Sequence, residues 1–121
     1  MALRDLLHRL TASTEVLHAE QLREFAAKHA GVQPIAEARA RQETPVVGEL
    51  TSVRLVPRPS GSPWFEATIT DGTGRIVALW TGRRRIAGIT PGQRLVISGR
   101  PSPTGAGGRL LIYNPDYELL G

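Results

Sequence analysis

Residues 64–80 read Trp-Phe-Glu-Ala-Thr-Ile-Thr-Asp-Gly-Thr-Gly-Arg-Ile-Val-Ala-Leu-Trp. At a period of two, Phe65, Ala67 and Ile69 share one face and Trp64, Glu66, Thr68 and Thr70 the other. That alternation marks a half-buried strand. Asp71-Gly72-Thr73-Gly74 follows, with two glycines able to take the positive φ of a tight antiparallel reversal. Asp71 reads as the turn residue that caps its own backbone. A second strand then runs from Arg75 to Trp80, with Ile76, Ala78 and Trp80 on one parity and Val77 and Leu79 on the other. The segment is a hairpin. It sets Trp80 in the core or at an end of the sheet, and Trp64 at the mouth of the preceding loop.

The flanking sequence supplies strands to close around this hairpin. Twelve of the thirteen glycines and eight of the nine prolines lie in residues 45–121, between short β-branched runs. Val46 to Val56 reads as a long first strand, with Gly48 a bulge or bend. Pro57–Pro63 is a loop. Residues 82–92, including Arg83-Arg84-Arg85, form a connector in which Arg84–Ala87 suits one helical turn. Pro91-Gly92 opens a fourth strand over 94–100. Pro101–Gly108 is a second loop, Arg109–Tyr113 a fifth strand, and Tyr117–Leu120 can complete the edge. Five strands in about 77 residues fit a small closed barrel better than a sandwich.

Residues 1–44 follow helical grammar. Leu3, Leu6, Leu7 and Leu10 make one apolar stripe on a short amphipathic helix. Thr11–Thr14 interrupts it, and Ser13 or Thr14 can cap a second helix running to about Ala30. Leu22, Phe25, Ala26 and His29 line one side of that helix, and Gly31 supplies its left-handed stop. The division is therefore a helical extension and linker over 1–44 and a β domain over 45–121. The extension either packs on the barrel or offers its leucine stripe to a protein partner or a second copy.

Composition excludes several chemistries. With no cysteine there are no disulfides or thiolate metal sites. The three histidines all fall in the first 30 residues, without paired carboxylates at zinc spacing, so no metal is expected. No apolar run reaches the ~18 residues that span a bilayer, and charge breaks up the first ten residues, unlike a secretory leader. A cytoplasmic protein without membrane contact is the expectation. Gly105-Ala-Gly-Gly108 lacks the lysine of a phosphate loop and precedes a strand. No serine, histidine and carboxylate set is plausible, so no catalytic residue and no cofactor are assigned.

Charge is unevenly divided. Residues 1–44 balance six basic against six acidic side chains, whereas residues 45–121 carry nine arginines against five acids. The whole net charge of +4 thus belongs to the β domain. Fourteen of the fifteen basic residues are arginine, the side chain suited to phosphate forks and base stacking. Codon bias alone explains a shortage of lysine, but not the segregation.

Several runs together carry a resemblance. They are Val47-Gly48-Glu49-Leu50, Phe-x-Ala-x-Ile-x-Asp-Gly-Thr-Gly over 65–74, and Ile-Val-Ala-Leu-Trp over 76–80. Ile-x-Pro-Gly-x-Arg-Leu-x-Ile-Ser-Gly over 89–99 completes the set. In combination they resemble the OB-fold of nucleic-acid-binding proteins, notably the wedge domain of RecG helicases and the anticodon-binding domain of class II aminoacyl-tRNA synthetases. Residues 113–118, Tyr-Asn-Pro-Asp-Tyr-Glu, are similar to the run that ends the RecG barrel. The chain as a whole resembles small actinobacterial OB-fold nucleic acid binding domain proteins. The resemblance implies a mainly β fold, a five-stranded OB-fold Greek-key barrel plus an N-terminal α-helical extension.

It also implies a binding face across the second and third strands, between the loops at 57–63 and 101–108. Trp64, Thr68, Val77, Leu79 and Tyr113 fall on that face. Arg54 and Arg58 lead into the first loop, and Arg100 and Arg109 flank the second. Arg83, Arg84 and Arg85 track phosphates, unless they pair with Glu49 or Asp116. In the synthetases a stacking aromatic stands five residues before the turn aspartate; here that position is Glu66. The expected activity is non-enzymatic binding of single-stranded or distorted nucleic acid, DNA before RNA, with low sequence specificity. The competing expectation is a protein-interaction adaptor.

Overall fold

The computed structural model describes residues 3–29, 31–43, 45–103 and 110–121. One helix, α1 (Leu3–Ala27), precedes a 3-10 turn at Ile35–Glu37 and seven strands. These are β1 (Val46–Val56), β2 (Trp64–Thr70), β3 (Arg75–Thr81), β4 (Arg94–Ser98), β5 (Ser102–Pro103), β6 (Leu110–Tyr113) and β7 (Asp116–Leu120). No helix among the described residues is long and apolar enough to cross a membrane.

The two helices expected from the sequence are a single one. Thr11–Thr14 contains neither glycine nor proline, and serine and threonine each cost a helix only about 0.5 kcal/mol relative to alanine. That penalty does not break a helix with favourable residues on both sides. The buried stripe is as read: Leu22 and Ala26 are buried and Phe25 half-buried. Gly31 takes φ +81° just beyond the helix end.

The sheet runs β5-β6-β3-β2-β1-β4-β7, and every pairing is antiparallel except β3 with β6. Only Asn114 and Pro115 separate β6 from β7, yet the two strands lie toward opposite ends of the sheet order. The sheet must therefore curl until β3 and β4 flank one kinked segment. Asn114 makes the kink at φ +48°, a left-handed conformation that asparagine tolerates better than most residues. This is the curled, mainly β architecture expected of an OB-like fold. The strand count differs from five. The anticipated last strand and edge are two separate strands, β6 paired with β3 and β7 with β4, and a two-residue strand, β5, sits on β6.

β1 serves both sides of the curl. Val46–Glu49 pair with β4, and Glu49–Val56 pair with β2. The irregularity lies between Leu50 and Ser52, leaving Thr51 unpaired, and not at Gly48 as the sequence suggested. Gly48 answers a different demand. A Cβ there would stand 2.6 Å from Ile69 Cγ2 and 2.7 Å from the Thr70 carbonyl oxygen, so β2 passes too close for any side chain. Gly48→Ala is expected to lower stability by about 1–3 kcal/mol, the usual range for forced overpacking. A denaturant midpoint equal to that of the parent chain would contradict the close approach.

The inner face is filled by alternate residues of the strands, among them Phe65, Ala67, Ile69, Ile76, Ala78 and Ile112. Trp80 is buried with them and donates its indole N–H to the Pro115 carbonyl at 3.3 Å. The 82–93 connector contains no helical turn, contrary to expectation. It inserts Ile86 and Ile89 into the core, and the turns between them set these two side chains inward.

The helical extension is clamped to the β2–β3 turn. Asp71 is 1% exposed. One carboxylate oxygen accepts from the Thr73 and Gly74 amides and the Thr73 hydroxyl, and the other accepts from the Ile35 amide at 2.9 Å. Ile35 itself is buried in the core. The turn cap foreseen for Asp71 is thus half of its role. Gly72 (φ +86°) lies directly beneath the helix: a Cβ would overlap the Ala19 carbonyl, and Arg23 donates to the Gly72 carbonyl at 3.1 Å.

Candidate nucleic-acid interface

The outward residues of β2 and β3 form cross-strand rows. One runs Val56, Trp64, Thr81; the next Arg54, Glu66, Leu79, Tyr113; the third Ser52, Thr68, Val77, Leu111. Sheet alternation puts these side chains on one face. The face as built is narrower than expected. Val77 is 6% and Leu79 2% exposed, so neither offers surface to a ligand, and both are corrected to packing residues. A residue of outward parity is buried when larger neighbours in adjacent rows close over it. Trp64 and Tyr113, which flank Leu79 in this register, are of that size. Thr68 stays half-buried.

Helix α1 bounds the face at its turn end. Thr14, Glu15, His18, Ala19 and Leu22 line a cleft with Thr51, Thr70, Gly72 and Arg75. His18 Nε2 is 2.9 Å from Glu49 Oε2. Arg94 places its guanidinium 4.3 Å from the centre of the Phe25 ring. Arg75 and Arg94 thereby belong to the helix side of the molecule, and not to the loop end. On the far side of the helix Val16 and Leu17 are 58% and 55% exposed.

The loop end is open and aromatic. Arg58 stacks over Trp64 at 3.8 Å from the ring centre, and Trp64 meets Tyr113 edge-on with centroids 6.3 Å apart. Tyr113 is 50% exposed. An exposed cation–π contact contributes about 0.5–1 kcal/mol, enough to orient Arg58 and weak enough to yield to a ligand. The Gly82 amide donates to the Pro63 carbonyl at 2.9 Å, tying the end of β3 to the loop that carries Arg58. Asn114 reinforces the same corner. Its amide donates to the Leu79 carbonyl at 2.7 Å, and its side-chain oxygen accepts from the Thr81 amide at 3.0 Å. The sequence reading missed this role, although asparagine is one of the few residues that tolerate a left-handed conformation.

Arg83, Arg84 and Arg85 follow immediately and are all exposed. They form no ion pair with any described carboxylate: Glu49 is engaged by His18, and Asp116 pairs with none of them. Arg100 is exposed as well and stands two residues before β5, which pairs with β6. Arg54 is committed elsewhere. Its Nε and Nη2 donate to the two oxygens of Glu66 at 3.1 and 3.3 Å. Arg109 lies outside the described residues. Of the arginines expected to converge, Arg58 lies on Trp64, and the Gly82–Pro63 bond brings the start of the 83–85 run to the same loop end, where Arg83 lines a cleft with Trp80, Asn114, Asp116 and Tyr117.

No family model matches the chain, and no curated protein matches its sequence. Solved structures do share its fold. RecG bound to a three-way DNA junction superposes with a TM-score of 0.56 at 13% identity, over 71% of this chain and 13% of RecG. The chain thus spans about an eighth of the RecG polypeptide. The replication factor A related protein of Methanobacterium thermoautotrophicum superposes with a TM-score of 0.54 at 20% identity, over 75% of this chain and 92% of that one. At these identities the likeness establishes the fold alone, a curled OB-like sheet.

Proposed function

We propose that this protein binds single-stranded or distorted nucleic acid, without catalysis and with low overall sequence specificity, at the loop end of its barrel. The observation that carries the reading is the cluster Arg58–Trp64–Tyr113, with Arg83, Arg84 and Arg85 following Gly82, whose amide bonds the Pro63 carbonyl, and forming no ion pair with a described carboxylate. Aromatic rings stack on any base, at about 1–3 kcal/mol per base, and guanidinium groups neutralise phosphates. A patch this small holds few nucleotides, which favours exposed single-stranded segments over a long duplex. Duplex DNA hides the base faces that the aromatic pair would stack on. The fold shared with RecG and with a replication factor A related protein supports the same reading and favours DNA over RNA.

Titration of fluorescently labelled 12-mer single strands at 50 and 200 mM salt tests it. Binding is expected to weaken with salt and to exceed that of a duplex of equal length. Anisotropy that stays flat at both salt concentrations would overturn the proposal. The exposed Val16 and Leu17 favour a second reading, in which helix α1 docks on a protein partner or a second copy. Light scattering of the full chain at tens of micromolar separates the two copies' case, since a monomer mass excludes it.

A further inference from the structure

We infer that Glu66 makes the site selective for bases bearing an exocyclic amine, cytosine above thymine, at the position that stacks beside Trp64. The inference rests on the nucleic-acid reading above and adds a base preference to it. Glu66 stands on the outer face next to Trp64, about 7 Å along β2, the distance between alternate residues of a strand. It occupies the same row as Tyr113, two strands away with buried Leu79 between them. A base stacked on the Trp64–Tyr113 pair therefore presents an edge toward the Glu66 carboxylate.

An ionised carboxylate only accepts hydrogen bonds. Each Glu66 oxygen already receives one N–H from Arg54, and the group has about four acceptor positions, so two remain for a ligand. The N4 amine of cytosine can fill one of them. Thymine offers only its N3–H, flanked on both sides by the acceptors O4 and O2, which the carboxylate repels. The two-point contact with Arg54 biases the Glu66 rotamer, so the acceptor is oriented before the base arrives. The same contact has a second consequence. The Arg54 fork that grips Glu66 through Nε and Nη2 is the fork a phosphate would use, so Glu66 also withholds Arg54 from the backbone.

The test compares labelled dC and dT 12-mers at pH 8 and 50 mM salt, with the parent chain, Glu66→Ala and Glu66→Gln. The parent is expected to bind dC at least about fivefold more tightly than dT, the lower end of discrimination by a base-edge contact. Glu66→Ala should bring the two within about twofold, raise the dT affinity, and steepen the salt slope by about 0.7 as Arg54 is released to a phosphate. Glu66→Gln, which can also donate to O4, should likewise lose the cytosine preference. Equal binding of dC and dT by the parent chain overturns this inference alone, as does a dC preference that persists in both variants. If neither strand binds the parent chain, the proposed function falls with it. Melting curves of the variants within a few degrees of the parent show that the fold is retained.

Discussion

Asp71→Ala is expected to produce the largest loss of stability of any single substitution outside the apolar core. The carboxylate is 1% exposed and receives four hydrogen bonds, three from its own turn and one from Ile35, thirty-six residues earlier. Alanine removes the acceptor and leaves the Thr73, Gly74 and Ile35 amides without a partner. Each unsatisfied buried donor costs about 1–3 kcal/mol, and the turn partly relaxes, so a net loss of about 3–5 kcal/mol follows. For a domain of this size the melting temperature should fall by roughly 10–20 °C. Asp71→Asn separates the two halves of the role. Its oxygen can still accept from the turn, but its amide meets the Ile35 N–H donor to donor, so the linker should loosen while the hairpin persists. Circular dichroism melting decides; an Asp71→Ala transition within 2 °C of the parent would contradict the clamp.

The largest effect on ligand binding is expected from replacing Arg83, Arg84 and Arg85 together by alanine. All three are exposed and free of ion pairs with the described carboxylates, so their removal should leave the melting temperature nearly unchanged. Three consecutive side chains around the bend at Arg84 point in different directions, and two of them can follow adjacent phosphates. Losing two contacts to a single strand should flatten the slope of log K against log salt by about 1.4. Over a fourfold change in salt, the advantage of the parent chain over the variant then shrinks about sevenfold. An identical slope in parent and variant would show that these arginines do not touch the backbone of the ligand.

What could be read in the sequence, and what could not, separates along physical lines. The hairpin was legible because alternation is local: Phe65, Ala67 and Ile69 face inward, and Trp64, Glu66 and Thr68 outward, as a period of two requires. The burial of Trp80 followed from the same parity. The bulge at Thr51 was not legible, since it records where β1 changes partner from β4 to β2, and register is a property of three strands at once. Gly48 drew attention to the right strand for a different reason, the close passage of β2.

The candidate site shows the same division. Trp64 and the arginine run were visible as residue types, and the Gly82–Pro63 bond that ties the residue before the run to the loop before Trp64 was not. Val77 and Leu79 had the right parity for the face but are buried, and parity says nothing about coverage. The pairing of Arg54 with Glu66 needed the β1–β2 register beyond the bulge. Slip that register by one residue and the two side chains lie on opposite faces. Helix α1 was read as two helices because the short polar run at 11–14 was given more breaking power than its propensities hold.

Chemical-shift mapping of the isotope-labelled full chain against a 12-mer single strand at 50 mM salt tests the binding mouth most directly. The Trp64 indole N–H and the amides of Tyr113, Asn114 and residues 82–86 should move together and saturate together, while Ala19, Arg23 and Gly72 at the helix-covered end stay still. Shifts gathered around α1 and the β2–β3 turn, with Trp64 unmoved, would contradict the account.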